Sequence, residues 1–257
     1  ISTHTVTAIV YGIAGVLLML ISTWRVFPVL EQGFWPALAA TTALNMIAIF
    51  LQYRALVISD FSIVIPMLAY TPLFLIATSS LILGERPSPI GLTGILLIVG
   101  GSMVLLASDL KKNHKNHTHR QGVFLMLCVA FLFSISVNFD KLAVLHSDTY
   151  FPSALSLLIL SGCFAIFSTY KRETPGNLTV RIWICMGLAG IFLVLDAVAV
   201  NIAFTLQIVP YVIGLKRLSV VLSVLVGLTV FRDRHPIRRI LGAILMFAGA
   251  GAIALAG

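Results

Sequence analysis

Seven polar or ionisable residues lie within, or at the ends of, apolar stretches of this 257-residue chain: Asn138, Asp140, Lys141, Asp196, Asn201, Lys216 and Arg217. An ionisable side chain at bilayer mid-depth costs roughly 2.5–3.5 kcal/mol on insertion scales, so it persists where it binds a solute, moves charge or meets a partner. Asp196 and Lys216 flank the turn near Gln207 and Ile208, and at a helical rise of about 1.5 Å per residue they lie roughly 16 Å and 12 Å from it. An antiparallel pair of helices would therefore bring them together, with Arg217 at the next angular position and Asn201 nearer the turn. Asn138, Asp140 and Lys141 close a run that ends on the same side. Lys141, Lys216 and Arg217 against Asp140 and Asp196 leave one positive charge in excess, which favours an anionic or zwitterionic solute over a lipophilic cation. Tyr70, Tyr211 and Asn45 are candidates to line the path to such a cavity, because aromatic and amide groups bind solutes yet tolerate burial. An Asp196–Lys216 ion pair that only locks two helices is the competing reading, and packing is the competing role for the two tyrosines and Asn45.

Other chemistries lack their parts. There is no Gly-x-Ser-Gly nucleophile, His-Glu-x-x-His, P-loop or paired-aspartate metal motif, so neither an enzyme nor a nucleotide-driven pump is expected, and no cofactor is implied. His114, His117 and His119 have a spacing that binds metal weakly, but no cysteine or carboxylate completes a site and a solvated basic loop is expected. Cys128, Cys163 and Cys185 all sit in apolar runs, where no disulfide framework follows. Glu85-Arg86 and Asp233-Arg234 open tight turns before apolar runs, where a carboxylate caps a helix N-terminus. The sequons at Asn116 and Asn177 fall on the strongly basic side and are expected to be unmodified.

The elements that carry these residues are dictated by composition. The chain is 59% hydrophobic and 10% charged, with a mean hydropathy of +1.05, whereas about a quarter of a soluble protein is charged. Nine apolar runs cover 5–23, 34–56, 61–83, 88–108, 121–145, 151–170, 182–206, 209–231 and 237–256. Runs near twenty residues suit membrane-spanning helices, since barrel strands need only about ten. Pro66 and Pro72 lie inside the third run and can kink it. The formal charge of +8 is spread over short loops instead of one stripe, which argues against nucleic acid.

The chain also repeats itself. Ser22-Thr23-Trp24-Arg25 returns as Ser168-Thr169-Tyr170-Lys171 at an offset of 146; at 148, Trp35 meets Trp183, Ala55 meets Ala203, Gly94 meets Gly242 and Gly101 meets Gly249. Four runs therefore match four others, and 121–145 has no counterpart. The expectation is an all-α integral membrane protein of two five-helix units, nine helices present here and ten in the intact protein. Five is odd, so the second copy enters the bilayer from the opposite face, the inverted repeat of alternating-access carriers. The seven-residue glycine spacing in the fourth and ninth runs predicts that these two pack closely together.

Tyr53-Arg54-Ala55-Leu56, then 62–72, Leu83-Gly84-Glu85-Arg86 and the run from Gly94 to Gly101 resemble the first repeat of the EamA-like family of the drug/metabolite transporter superfamily. The second repeat departs from that pattern at Asp233 and at Lys216-Arg217. The resemblance implies residues 1–109 as a first repeat lacking its first helix, 110–120 as a basic connecting loop and 121–257 as a second repeat. It further implies a carrier of small metabolites or a multidrug or lipid-linked exporter; a lipid flippase and a non-transporting receptor are the competing readings. The partners are then the bilayer, a small solute and a coupling proton or ion, in a monomer or homodimer of a cell membrane, the bacterial inner membrane being the natural setting. Twelve basic residues fall in one set of loops and three in the other. By the positive-inside rule the first set is cytoplasmic, which conflicts with the usual placing of both family termini in the cytoplasm and leaves orientation open.

Overall fold

Hydrocarbon offers no partner to a backbone N–H or C=O, so each apolar run must close its own hydrogen bonds, and it does so as a helix. The computed structural model describes residues 2–25, 28–110, 117–171, 179–221 and 236–256. Among these, the regular elements are α1 (Thr3–Arg25), α2 (Phe34–Ile58), α3 (Phe61–Val64), a 3-10 segment (Ile65–Tyr70), α4 (Thr71–Ile82), α5 (Pro89–Leu110), α6 (His117–Leu145), α7 (Phe151–Tyr170), α8 (Val180–Leu206), α9 (Val209–Lys216) and α10 (Pro236–Ala256). Six spans among the described residues are long and apolar enough to cross a membrane. The run 151–170 coincides with α7, and most of the others agree to within four residues. The runs 61–83 and 209–231 are not continuous α-helices where they are described. The Asp233-Arg234 turn, the end of the eighth run, His114, Asn116 and Asn177 lie outside the described residues.

Two compact units cut across the repeats: Ile1–Ala43 with Phe139–Leu206, and Leu44–Asn138 with Gln207–Gly257. In the first unit α1 packs along α7 and α8. Gly12 admits Ser161 so closely that a Cβ would stand 3.0 Å from its Oγ, and a Cβ on Gly15 would stand 2.8 Å from Leu158. Ser161 donates to the Ala8 carbonyl at 2.7 Å, and the hydroxyls of Thr5 and Ser168 are 2.7 Å apart. Ala14, Leu18, Ala154 and Val194 fill the space between these contacts. The Asp148 carboxylate starts α7, accepting from Phe151 N–H at 2.6 Å and Tyr150 N–H at 3.0 Å.

In the second unit α5 and α10 meet at their glycines, as the seven-residue spacing predicts. A Cβ on Gly94 would stand 2.7 Å from the Gly249 carbonyl oxygen, and one on Gly101 would stand 2.6 Å from that of Gly242. Gly242 in turn approaches Gly101 and Leu105, and Gly249 approaches Gly94 and Ile98. The sequence order reverses along the contact, so the helices are antiparallel. Each contact also maps onto its mate under the 148-residue offset, as the contacts Gly12–Ser161 and Gly15–Leu158 do under 146. Both helix pairs are thus local two-folds between repeats of opposite direction. Buried Ile95, Ile98, Leu105, Met246 and Ile253 complete the α5–α10 seam.

The outer faces are apolar as well. Ile191, Phe192 and Leu195 of α8 are exposed, Phe192 by 68%, a liability in water and an ordinary solvent face in lipid.

Gly101→Ala should lower the thermal unfolding midpoint of the purified protein, at a cost of about 1–3 kcal/mol, because a backbone carbonyl cannot yield as a flexible side chain can. Gly100→Ala, with nothing within 4 Å of its Cβ, should be neutral or stabilise by up to about 1 kcal/mol. Equal midpoints for the two variants would refute the close-approach account.

Candidate functional site

The second unit contains a helix interruption in each repeat, at equivalent positions. In the first repeat α3 gives way at Ile65–Tyr70 to a 3-10 segment before α4 begins. The cause is local. Pro66 and Pro72 carry no N–H and cannot continue an i to i−4 ladder. The Leu68 carbonyl, left without its usual donor at position 72, accepts instead from the Thr71 backbone N–H and from the Thr71 hydroxyl at 2.7 Å.

Shifted by 148 residues, Ile65–Tyr70 falls on 213–218. There α9 ends at Lys216 and the backbone tightens to i−3 bonding: Arg217 to Gly214, Leu218 to Leu215, Val220 to Arg217 and Val221 to Leu218, at 2.9–3.1 Å. No proline stands in this stretch. The interruption coincides with the two cations that the repeat pattern does not predict, Lys216 and Arg217. Lys216 is exposed and Arg217 half-buried. The Arg217 Nε is buried and has no hydrogen-bond acceptor among the described residues.

A second incomplete polar group in this unit belongs to Asn138 on α6. Asn138 is fully buried; its amide donates to the Ser134 carbonyl at 2.7 Å and to the Thr78 hydroxyl at 3.2 Å. Thr78 donates to the same carbonyl at 3.1 Å. The Asn138 Oδ1 has no donor among the described residues. Phe74 and Phe131 pack edge to face at 5.6 Å beside this α4–α6 contact. Tyr70, at the end of the 3-10 segment, is half-buried against the cluster of Ala48, Met67 and Met126, and Asn45 is half-buried on α2.

Tyr211 has a structural task. Its hydroxyl accepts from the Ser88 N–H at 2.9 Å and lies 3.2 Å from the Ser88 hydroxyl, while Gly91 leaves room for the ring. Glu85 completes this joint: its carboxylate accepts from the Val209 N–H at 2.8 Å and from the Ser79 hydroxyl at 2.6 Å. Capping is the role expected for Glu85, but the helix it caps is α9, not the α5 that follows it in sequence. Pro210 supplies no donor of its own at the second position of α9, so the Val209 N–H is the first donor there that needs a partner.

In the first unit, Asn201 on α8 is buried and gives its amide to the Thr149 carbonyl at 2.8 Å and the Ser153 hydroxyl at 2.7 Å, tying α8 to the start of α7. Asp140 accepts from Thr41 at 2.6 Å, and Lys141 beside it is buried. Asp196 is half-buried on α8. Asp140, Lys141, Asp196 and Lys216 all have further interactions, so none stands free. Sequence reasoning missed Asp148 as a cap, although an aspartate shortly before Phe151-Pro152 is a readable helix-start signal. It also missed the second helix interruption, which has no proline to announce it. No cluster of metal-ligating side chains occurs among the described residues.

Apolar spans, antiparallel two-folds between repeats and an interruption in each half define a class: polytopic membrane proteins built from inverted repeats, the architecture of many transporters. The model of the EamA-like transporter family matches residues 1–107, so that part of the chain is similar to the family. No curated protein matches. A solved crystal structure, described only as that of a protein, resembles the chain with a TM-score of 0.86 at 18% identity, covering 100% of this chain and 90% of its own. At that identity the likeness is one of fold.

Glu85→Ala should destabilise the protein by roughly 1.5–3 kcal/mol, the worth of hydrogen bonds to a charged group, read as a lower unfolding midpoint in detergent. Glu31→Ala is the comparison, since the exposed Glu31 side chain has no hydrogen bond or ion pair with another described residue, and it should cost less. The reverse order would remove Glu85 from the α9 joint.

Proposed function

We propose that the protein is a carrier that moves a small zwitterionic or anionic metabolite, such as an amino-acid-like solute, across the membrane by alternating access. The observation that carries this reading is the pair of interruptions at equivalent positions, Ile65–Tyr70 and the turn at 217–218, because broken helices in corresponding halves are where inverted-repeat carriers bind solute. Arg217 sits in the second interruption with a buried donor to spare, and Asn138 in the same unit has a buried acceptor to spare. A solute with both a carboxylate and an amino or hydroxyl group would satisfy each. Lys216 and Tyr70 flank the interruptions and belong to the proposed site, and Asn45 remains a candidate for the pathway. In the first unit, Asp140, Lys141 and Asp196 are the proposed charged participants, with Asp196 the carboxylate to test for proton or ion coupling. Asn201 and Tyr211 are better supported as helix ties, since their polar groups are already engaged. The proposed setting is a cell membrane of bacterial inner-membrane type.

Uptake into proteoliposomes tests the reading. Arg217→Gln should raise the KM for a transported solute about tenfold or more, the loss of a charge-assisted hydrogen bond, with insertion and unfolding midpoint unchanged. Asp196→Asn should abolish flux while the protein still inserts. Flux of labelled lipid alone would favour a flippase, and specific binding without flux of any amino acid, sugar or nucleoside would favour a receptor. Unaltered solute kinetics in both variants would reject the site.

A further inference from the structure

An open cavity of about 660 Å³ in the second unit is lined by Arg54, Ile58, Arg120, Gln121, Phe124 and Leu125. All six lie at helix ends: Arg54 and Ile58 are one turn apart in the last turns of α2, and Arg120 and Gln121 lie one turn before Phe124 and Leu125 near the start of α6. Gly122 holds these ends together, since its missing side chain admits Ser59 and Val64. The polar groups therefore sit where the chain leaves the bilayer. The apolar wall continues along α6 toward the hydrocarbon, with Phe124 exposed by 66%.

Both guanidinium groups are exposed. Neither forms an ion pair or hydrogen bond with another described residue, and neither arginine has a role in the transport site proposed above. Two cations with a neighbouring amide over an apolar slot at interface depth match a phosphodiester joined to acyl chains, since guanidinium groups recognise phosphate oxygens through paired donors and basic pockets between membrane helices hold anionic headgroups.

We infer that this cavity is a binding site for an anionic phospholipid, with Arg54 and Arg120 on the headgroup phosphate, Gln121 on its polar substituent and Ile58, Phe124 and Leu125 against the first methylenes of a chain. The site fastens α2 to α6 at the membrane surface and makes the full chain selective for anionic lipid.

Native mass spectrometry of the full chain, titrated with phosphatidylglycerol or phosphatidylcholine, tests this. Phosphatidylglycerol should bind tightly. R54Q/R120Q should bind it ~30-fold more weakly, about a fivefold factor for each basic residue, and phosphatidylcholine should be unaffected. The conservative pair R54K/R120K should keep most of the selectivity, and it carries the comparison if the glutamine pair does not fold. K171Q/R181Q removes equal charge away from the cavity and should change affinity little. Undiminished phosphatidylglycerol binding in R54Q/R120Q, an equal loss in K171Q/R181Q, or displacement of the lipid by excess inorganic phosphate would overturn the site; the last would mark it as a place for a free anion.

Discussion

In hydrocarbon a backbone carbonyl or N–H that lacks a partner has no water to turn to, and the rest of this structure follows from that constraint. It makes long regular helices the default and confines every departure to a place where a substitute partner exists. At Leu68 the substitute is the hydroxyl and N–H of Thr71. At the start of α9 it is the Glu85 carboxylate, and after Lys216 it is a run of i−3 bonds. Each departure has a cost, so two of them at equivalent points of a repeat need a reason other than chance. The backbone is tied at both; the side chain of Arg217 is not fully so.

The same constraint governs how the helices pack. Lipid is as apolar as leucine, so two helices gain little by burying apolar surface against each other and must gain by close fit. α5 and α10 meet glycine against carbonyl; α1 and α7 meet through glycine against serine and leucine, with hydroxyl bonds across the seam. Both pairs are reciprocal, one at an offset of 148 and the other at 146. Between the first matched pair of helices and the next, then, the second repeat is longer by two residues.

What could be read from the sequence follows from whether a signal is local. Run lengths near twenty set the helices, and the glycine spacing set the α5–α10 contact, because both depend on residues within one helix. Pro66 and Pro72 announced the first interruption for the same reason. Nothing comparable announces the second, where no proline stands. Glu85 was readable as a cap but not as the cap of α9, since the N–H it satisfies is 124 positions away. The partners of Asn201 and Tyr211 were not readable either, because a polar group in an apolar run appears the same in sequence whether its partner is a solute or a neighbouring helix.

Counting partners separates the two cases. Asn201 gives its amide to Thr149 and Ser153, and the Tyr211 hydroxyl is held by Ser88; solute contact would have to break bonds already made. The Asn138 Oδ1 and the Arg217 Nε are buried without partners among the described residues, and each such atom costs about 1–3 kcal/mol until something binds it. In a water-poor interior that cost is a standing bias toward a ligand with the complementary group. In the carrier proposed above, what is bound must also be released, and a few unsatisfied atoms, each worth a modest amount, suit that reading better than one deep and fully formed site would.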